Sequence, residues 1–251
     1  SILSHAGAQE APAVGSDQLT APARLRPNVV VVLADDLGIG DVSPTSGGCK
    51  IKTPNLARMA AGGMTFLDAH STSAVCTPTR YGLLTGRYNW RSRLSKGVLN
   101  GNSGHLIPEE RATIGHLMEA SGYATAAIGK WHLGWRWPKK GGGVTTKSVE
   151  VDYAQPVGGG ALEAGFDHYF GDTVINFPPY CWIEDDQIPR APDTVMDSSK
   201  WKPIKEGNWE CRPGPMISDW DPYQNIPTTT KRGVEYIKSQ ANEQLPFFLY
   251  F

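Results

Sequence analysis

The sequence predicts an α/β fold, an open and mostly parallel sheet with helices on both faces. Residues 28 to 34, "NVVVVLA", form a continuous β-branched run of the kind a parallel strand buried on both faces requires. "YATAAIG", 123 to 129, and "FFLYF", 247 to 251, are two further short apolar runs. The segments between them carry helix start and stop signals, and strands alternating with helices define this class.

Taken in order, the first strand stops at Asp35-Asp36. "TPNLARMAAGG" then reads as a short helix, with Thr53 as N-cap, Pro54 at the first helical position and Gly62 just past the end. Pro78 to Leu84 begins a second helix, and "TIGHLMEASG", 113 to 122, is a third with a glycine stop. From Trp135 to about Asn225 the chain is rich in Gly, Pro and Trp, an elaborated loop region with small strands and a hairpin over "CWIEDDQIP". Amphipathic helix returns over Thr229 to Asn242, and "FFLYF" is one more core strand. With nothing after that run, the last strand is expected to leave an apolar edge. In such sheets ligands sit outside the carboxyl ends of the strands.

At 251 residues, 40% hydrophobic and with a net charge of -1, the chain can bury a real core and has no basic stripe, so nucleic acid is not an expected partner. No apolar run is long enough to span a membrane. Residues 1–27 open Ser-Ile-Leu-Ser-His, carry Ala6-Gly7-Ala8 and continue Pro/Ala-rich to Pro27, which reads as a leader remnant or a disordered arm ahead of an ordered region, 28–251. The leader reading implies a secreted or periplasmic protein. Cysteines at 49, 76, 181 and 211 are too few and dispersed for a disulfide scaffold or a thiolate zinc site. On export, Cys181 and Cys211 are the candidate bridge and Cys76 stays unpaired.

Chemistry concentrates at the strand ends. Asp35 and Asp36 are adjacent carboxylates that repel unless a cation or strong donor neutralises them, and a hard divalent ion, Ca²⁺ or Mg²⁺, is the natural partner. A solvated turn is the plain alternative. Cys76 stands at a helix N-terminus, where free N–H groups favour negative charge, with Arg80 one turn later on the same face. "GKWHLG", 129 to 134, leaves a strand end and offers Lys130 and His132 as a cation and a proton carrier. Singly each is weak, since a lone buried Cys is usually inert and a lone His usually structural. Together they describe a site for an anion such as sulfate or phosphate. Gly38-x-Gly40 lacks the third glycine of a dinucleotide fingerprint, and Glu184-Asp185-Asp186 falls at a hairpin tip where carboxylates are simply solvated.

"AVCTPTRYGLLTG" resembles the sulfatase signature Cys-x-Pro-x-Arg with its apolar pair and Thr-Gly, and "GYATAAIGKWH" resembles the second sulfatase signature. "PNVVVVLADDLG", "KTPNLARMAAGGMTF" and "GFDHYFG" look like sulfatase segments in the usual order, so the resemblance covers roughly 27 to 251. The chain is thereby identified as similar to the type I, formylglycine-dependent sulfatases of the alkaline-phosphatase-like superfamily. The resemblance implies that Cys76 is oxidised by a formylglycine-generating enzyme and that one hydroxyl of the hydrated aldehyde attacks sulfur. The other then expels sulfate and regenerates the aldehyde, splitting one hard step into two. It implies Asp35, Asp36 and the modified Cys76 as Ca²⁺ ligands, with Mg²⁺ the alternative ion. Arg80 and Lys130 would steady the diol and the sulfate oxygens, and His132 would move a proton.

Members of the family run well beyond this length and supply a further His, an Asp-Asn or Asp-His metal pair and another Lys after the strand matching "FFLYF". The resemblance therefore covers the N-terminal part of such an enzyme, apparently truncated, and this polypeptide alone is expected to be inactive or nearly so. The implied substrate is a sulfate monoester, aryl or carbohydrate, and the segments look more like carbohydrate and N-acetylgalactosamine-sulfatase-like members than choline sulfatases. A phosphonate or phosphodiester hydrolase of the same superfamily and a non-catalytic glycan-binding remnant are the competing readings. Trp135, Trp137, Trp182, Trp201, Trp209 and Trp220 suit a sulfated glycan by stacking, or else plain packing of the insertion.

Overall fold

A computed structural model describes residues 26–43, 45–200 and 210–251. The proposed leader or arm lies outside the described residues but for Arg26 and Pro27, as do Trp201 and Trp209.

The elements run β1 (Val29–Val31), α1 (Pro54–Gly62), α2 (Cys76–Thr85), α3 (Ile114–Ala120) and β2 (Ala124–Ile128). Short strands follow: β3 (Trp137–Pro138), β4 (Val144–Thr145), β5 (His168–Gly171), β6 (Ile183–Glu184), β7 (Thr194–Val195) and β8 (Pro215–Met216). The chain closes with α4 (Asn225–Gln240) and β9 (Phe247–Tyr250). The central sheet has the order β1-β9-β2-β5-β6, parallel except for the antiparallel β5/β6 pair.

Strand alternation sends successive side chains to opposite faces. Ala127, Tyr169, Phe248 and Tyr250 join Tyr81 and Leu84 of α2, with Ile114 and Met118 of α3 packed against them. Ala126, Ile128, Phe170, Phe247 and Leu249 face the other way, against Tyr236 and Ile237 of α4. Helices thus cover both faces, as the sequence implied.

Two strand expectations need correction. β9 is not an edge, because Leu249 pairs with Val30 on one side and Ala126 on the other, and all four residues are buried. Among the described residues the edges are β1 and β6; in β1 Val30 is 43% exposed and Val32, just past it, 65%, so the β-branched run that looked doubly buried has a described neighbour on one side only. β-branching reports strand propensity and says nothing of position in the sheet.

The helices also differ at their ends. α2 begins at Cys76 rather than Pro78, and α4 begins at Asn225, with Pro227 in its first turn where its missing N–H would lack a partner anyway. Thr53 precedes α1, but its hydroxyl bonds Ser43 instead of capping, and none of the helix is buried. Thr113 does cap α3, accepting from the His116 N–H.

Five of the described tryptophans are packing material. Trp131, Trp135 and Trp137 are at most 1% exposed around Tyr169, and Trp182 and Trp220 pack at 4.9 Å in a second cluster with Tyr180 and Met216. Cys181 is buried in that cluster and Cys211 packs at its margin, both free thiols, so the candidate bridge does not form. The hairpin tip is not merely solvated either: Asp185 pairs with His168 at 2.7 Å, and Glu184 with Arg232 at 2.7 Å.

The strand order has a direct test. Leu249→Ala in the doubly paired strand should cost about 2–5 kcal/mol in urea unfolding, and Val30→Ala on the edge under about 1 kcal/mol. Equal costs would contradict the order.

Candidate active site

Every described residue of interest lies beyond the carboxyl ends of β1, β2 and β9. Past β1 the Leu33 N–H still reaches Phe251 O at 2.8 Å, and the chain then turns at Asp36, whose φ of 56° lies in the left-handed region that aspartate tolerates. Val75 precedes α2 in extended conformation with no side-chain cap, leaving the first-turn N–H groups beside Cys76 without a side-chain acceptor. α2 presses on the segment before it: a Cβ on Gly82 would meet Thr72 Oγ1 at 2.1 Å, and Thr79 Oγ1 donates to Ser73 O at 2.8 Å.

The result is a cleft of about 440 Å³ lined by Asp35, Asp36, Ser71, Ser73, Cys76, Thr79 and Arg80, among others. Four of the six residues singled out in the sequence therefore meet in one cavity. Lys130 joins through an ion pair, its Nζ 2.5 Å from Asp35 Oδ2. Burial raises the Asp35 carboxyl, and the Lys130 ammonium, with Arg80 beyond it, more than offsets this and holds it below the usual carboxylate range.

Arg80 is 6% exposed and donates from Nη1 to Lys130 O at 2.5 Å and to the Tyr250 hydroxyl at 3.3 Å. One buried guanidinium thus links α2 to the chain leaving β2 and to the end of β9. That exit begins at Gly129, whose φ of 114° only glycine adopts freely.

His132 stands behind the rim rather than on it, 3% exposed and with φ of 52°. Its Nε2 lies 2.7 Å from Leu99 O. A carbonyl can only accept, so Nε2 carries the proton and Nδ1 keeps a bare lone pair, without a partner among the described residues. Burial first, and the Lys130 charge next, lower this imidazole to about 4, so it is neutral at pH 7.

Two contributors were not read from the sequence. Tyr250 looked like core, and its hydroxyl in an otherwise apolar run was the available signal. Asp172, directly after β5, is 2% exposed, with the Asn225 amide beside its carboxylate but outside good hydrogen-bond geometry. Burial pushes it up to about 6 despite the nearby Lys130 and Arg80 charges.

The donor chemistry of Asp35 and Asp36 suits a hard cation, but the count does not. Among the described residues no three His, Cys, Asp or Glu side chains gather closely enough to hold a metal. Two carboxylates fall well short of the roughly six to eight oxygens calcium takes.

The pKa displacements give opposite pH dependences. Asp172, raised to about 6 from 3.8, costs stability above pH 6, and that cost fades as pH falls toward 3.8. His132, lowered to about 4 from 6.5, contributes stability that is complete above 6.5 and lost as pH falls toward 4. Asp172→Asn should stabilise at pH 7 by on the order of 2 kcal/mol, the gain vanishing near pH 4 in urea titrations. A destabilised Asn variant at pH 7 would contradict this.

Residues 27–251 match the family model described as Sulfatase. An N-acetylgalactosamine-6-O-sulfatase of Bacteroides thetaiotaomicron is 34% identical over 218 residues, 84% of this chain and 39% of that protein. The N-acetylgalactosamine-6-sulfatase of Mus musculus is 31% identical over 249 residues, 93% of this chain and 40% of that protein. A solved structure from Bacteroides thetaiotaomicron, titled for the metabolism of multiple glycosaminoglycans, superposes with a TM-score of 0.72 at 30% identity, over 90% of this chain and 50% of that one. The chain therefore spans 39% to 50% of the length of these relatives. With a mostly parallel sheet covered on both faces and a cysteine, an arginine and two aspartates meeting at its strand ends, the chain belongs to the sulfatase family and has its alkaline-phosphatase-like fold.

Proposed function

We propose that this chain carries the nucleophile side of a hydrolase that cleaves sulfate monoesters. One observation carries the reading: Cys76 opens α2 in the cleft that holds Asp35 and Asp36, and Arg80, one turn on, is locked to the Lys130 carbonyl. In this reading Cys76 is oxidised by a formylglycine-generating enzyme, and the hydrated aldehyde supplies a nucleophile that can both attack sulfur and expel sulfate.

The chain's own residues do the rest. Arg80 and Lys130 draw the sulfate oxygens to residue 76 and offset charge that builds on them. Arg80 does so with almost no freedom to relax, since its guanidinium is fixed at two points before substrate arrives. His132, neutral and with a bare Nδ1, can take a proton without first losing one. Asp35 and Asp36 would be two of the oxygen donors to Ca²⁺, or to Mg²⁺, with the remaining donors supplied from elsewhere.

Carbohydrate sulfates are the proposed substrate class, supported by the two N-acetylgalactosamine-6-sulfate-directed names among the relatives.

Two measurements test the reading. Co-expression with a formylglycine-generating enzyme should lower the mass of the Cys76 peptide by about 18 Da, the difference between thiol and aldehyde. A peptide that keeps its thiol would remove the basis of the proposal. In the longest natural form of the protein, Arg80→Ala should lower kcat/KM for an aryl sulfate by about 100- to 1000-fold. Arg80→Lys should fail to restore it, because an ammonium has no planar fork to bond the Lys130 carbonyl and the Tyr250 hydroxyl from one nitrogen and still present a second to the sulfate oxygens. Greater turnover of the matching phosphate ester would reassign the activity to phosphoryl chemistry.

A further inference from the structure

We propose that Asp172 is a positioning residue of the cleft: buried beside Lys130, it takes up and releases a proton and so sets how much of the lysine charge reaches a bound anion. The proposal rests on the sulfatase reading for what fills the cleft, and it deepens that reading by naming a control on the same site.

The position follows from the strand ladder. Beyond β2 and β5 the pairing continues, with the Gly129 N–H reaching Phe170 O at 2.8 Å and the Trp131 N–H reaching Asp172 O at 3.1 Å. The register that sets Ile128 opposite Phe170 therefore sets Lys130 opposite Asp172. Sheet order then places Lys130 between two carboxylates: Asp35 lies past β1 on one side, and Asp172 past β5 on the other.

The two exits are held tightly together. The Tyr169 hydroxyl shares its proton between Gly129 O at 3.0 Å and Asp172 O at 2.9 Å. A Cβ on Gly171 would come within 1.9 Å of Gly129 O, so the main chains also touch directly. Asn225, the first residue of α4, brings its amide to the carboxylate from the helix side. Asp172 lies outside the cleft and reaches it through Lys130, whose ammonium is paired with the lining carboxylate of Asp35.

Both protonation states are accessible near neutral pH. Burial raises the Asp172 carboxyl, while Lys130, its own N–H, Arg80 and the Asn225 amide pull it back, leaving it at about 6. The other groups facing it do not titrate there. Tyr169 and Cys181 are pushed up by burial first and by Asp172 next, so both stay neutral. Arg80 stays charged throughout, and His132 titrates lower, at about 4.

Lys130 carries the effect. Its side chain is 16% exposed, so water screens its neighbours weakly. With Asp172 ionised, two carboxylates share one ammonium and both oppose an incoming anion. With Asp172 protonated, only Asp35 does.

The test uses the longest natural form of the protein and inorganic sulfate, a dianion throughout the range from pH 5 to 7.5. By calorimetry, sulfate affinity should rise on the order of 10-fold from pH 7.5 to 5, the effect of one partly screened unit charge. Binding near pH 6 should take up a fraction of a proton, read from the dependence of the heat on buffer ionisation. Asp172→Asn should bind at pH 7.5 as tightly as the parent does at pH 5, with no proton uptake near pH 6.

A second measurement needs no ligand. The Asp172 carboxyl, followed by carbon-13 NMR, should titrate at higher pH in Lys130→Met, because the ammonium that favours its charged form is gone. An unmoved midpoint, a sulfate affinity level from pH 5 to 7.5, or proton uptake that survives Asp172→Asn would each overturn the proposal. A raised midpoint with no sulfate bound at any pH would instead count against the sulfatase reading alone.

Discussion

The Arg80 guanidinium is the contact on which the site's geometry depends. It is a permanent cation, almost wholly buried, whose Nη1 reaches the main chain beyond β2 and the phenol at the end of β9. Burying such a group is costly unless it is well bonded, so its partners confine it strongly. Because Arg80 lies one helical turn from Cys76, fixing the guanidinium also fixes the start of α2 against the sheet. Lys130, whose carbonyl accepts from Arg80, sends its ammonium to Asp35. Helix start, strand exit and acidic turn are thus connected in one run of polar contacts.

Around that run, burial divides the titratable groups by sign. It drives the His132 imidazole neutral and pushes the Asp172 carboxyl toward its neutral form, while Asp35 stays ionised because Lys130 faces it directly. Neighbouring groups pushed to different protonation states are the pattern that acid and base chemistry uses at one pH. Asp36 and His132, both in left-handed backbone conformation beside this cleft, add local strain that the surrounding ladder must hold in place. The site is pre-formed on the cationic side, and acidic donors alone do not complete a metal cage among the described residues.

Much of the fold was legible because its signals are local. Glycine stops, the Thr113 cap and the apolar runs mark α3, β2 and β9 without reference to the rest of the chain. Strand order was not legible: β1 and β9 have equally apolar sequences, and only pairing shows that β9 lies inside the sheet and β1 at one edge of the described strands. The tryptophans were ambiguous for a related reason, since an indole that packs in a core and one that stacks on a sugar have the same sequence signature. Of the site, Asp35, Asp36, Cys76, Arg80, Lys130 and His132 fall in two compact motifs and the acidic strand end. Asp172 and Tyr250 are brought in by tertiary contacts alone, and no spacing rule announces them.

The strand ends gather one cleft with residue 76 among its lining, proposed to hold an anion. A crystal structure of the protein soaked in tungstate, a heavy tetrahedral stand-in for sulfate, measures this directly through anomalous scattering. The strongest peak should fall in the cleft, with its oxygens in hydrogen-bond reach of residue 76 and of Arg80 or Lys130. Side chains 35, 36 and 76 on separate surfaces, with the anion bound elsewhere, would contradict it.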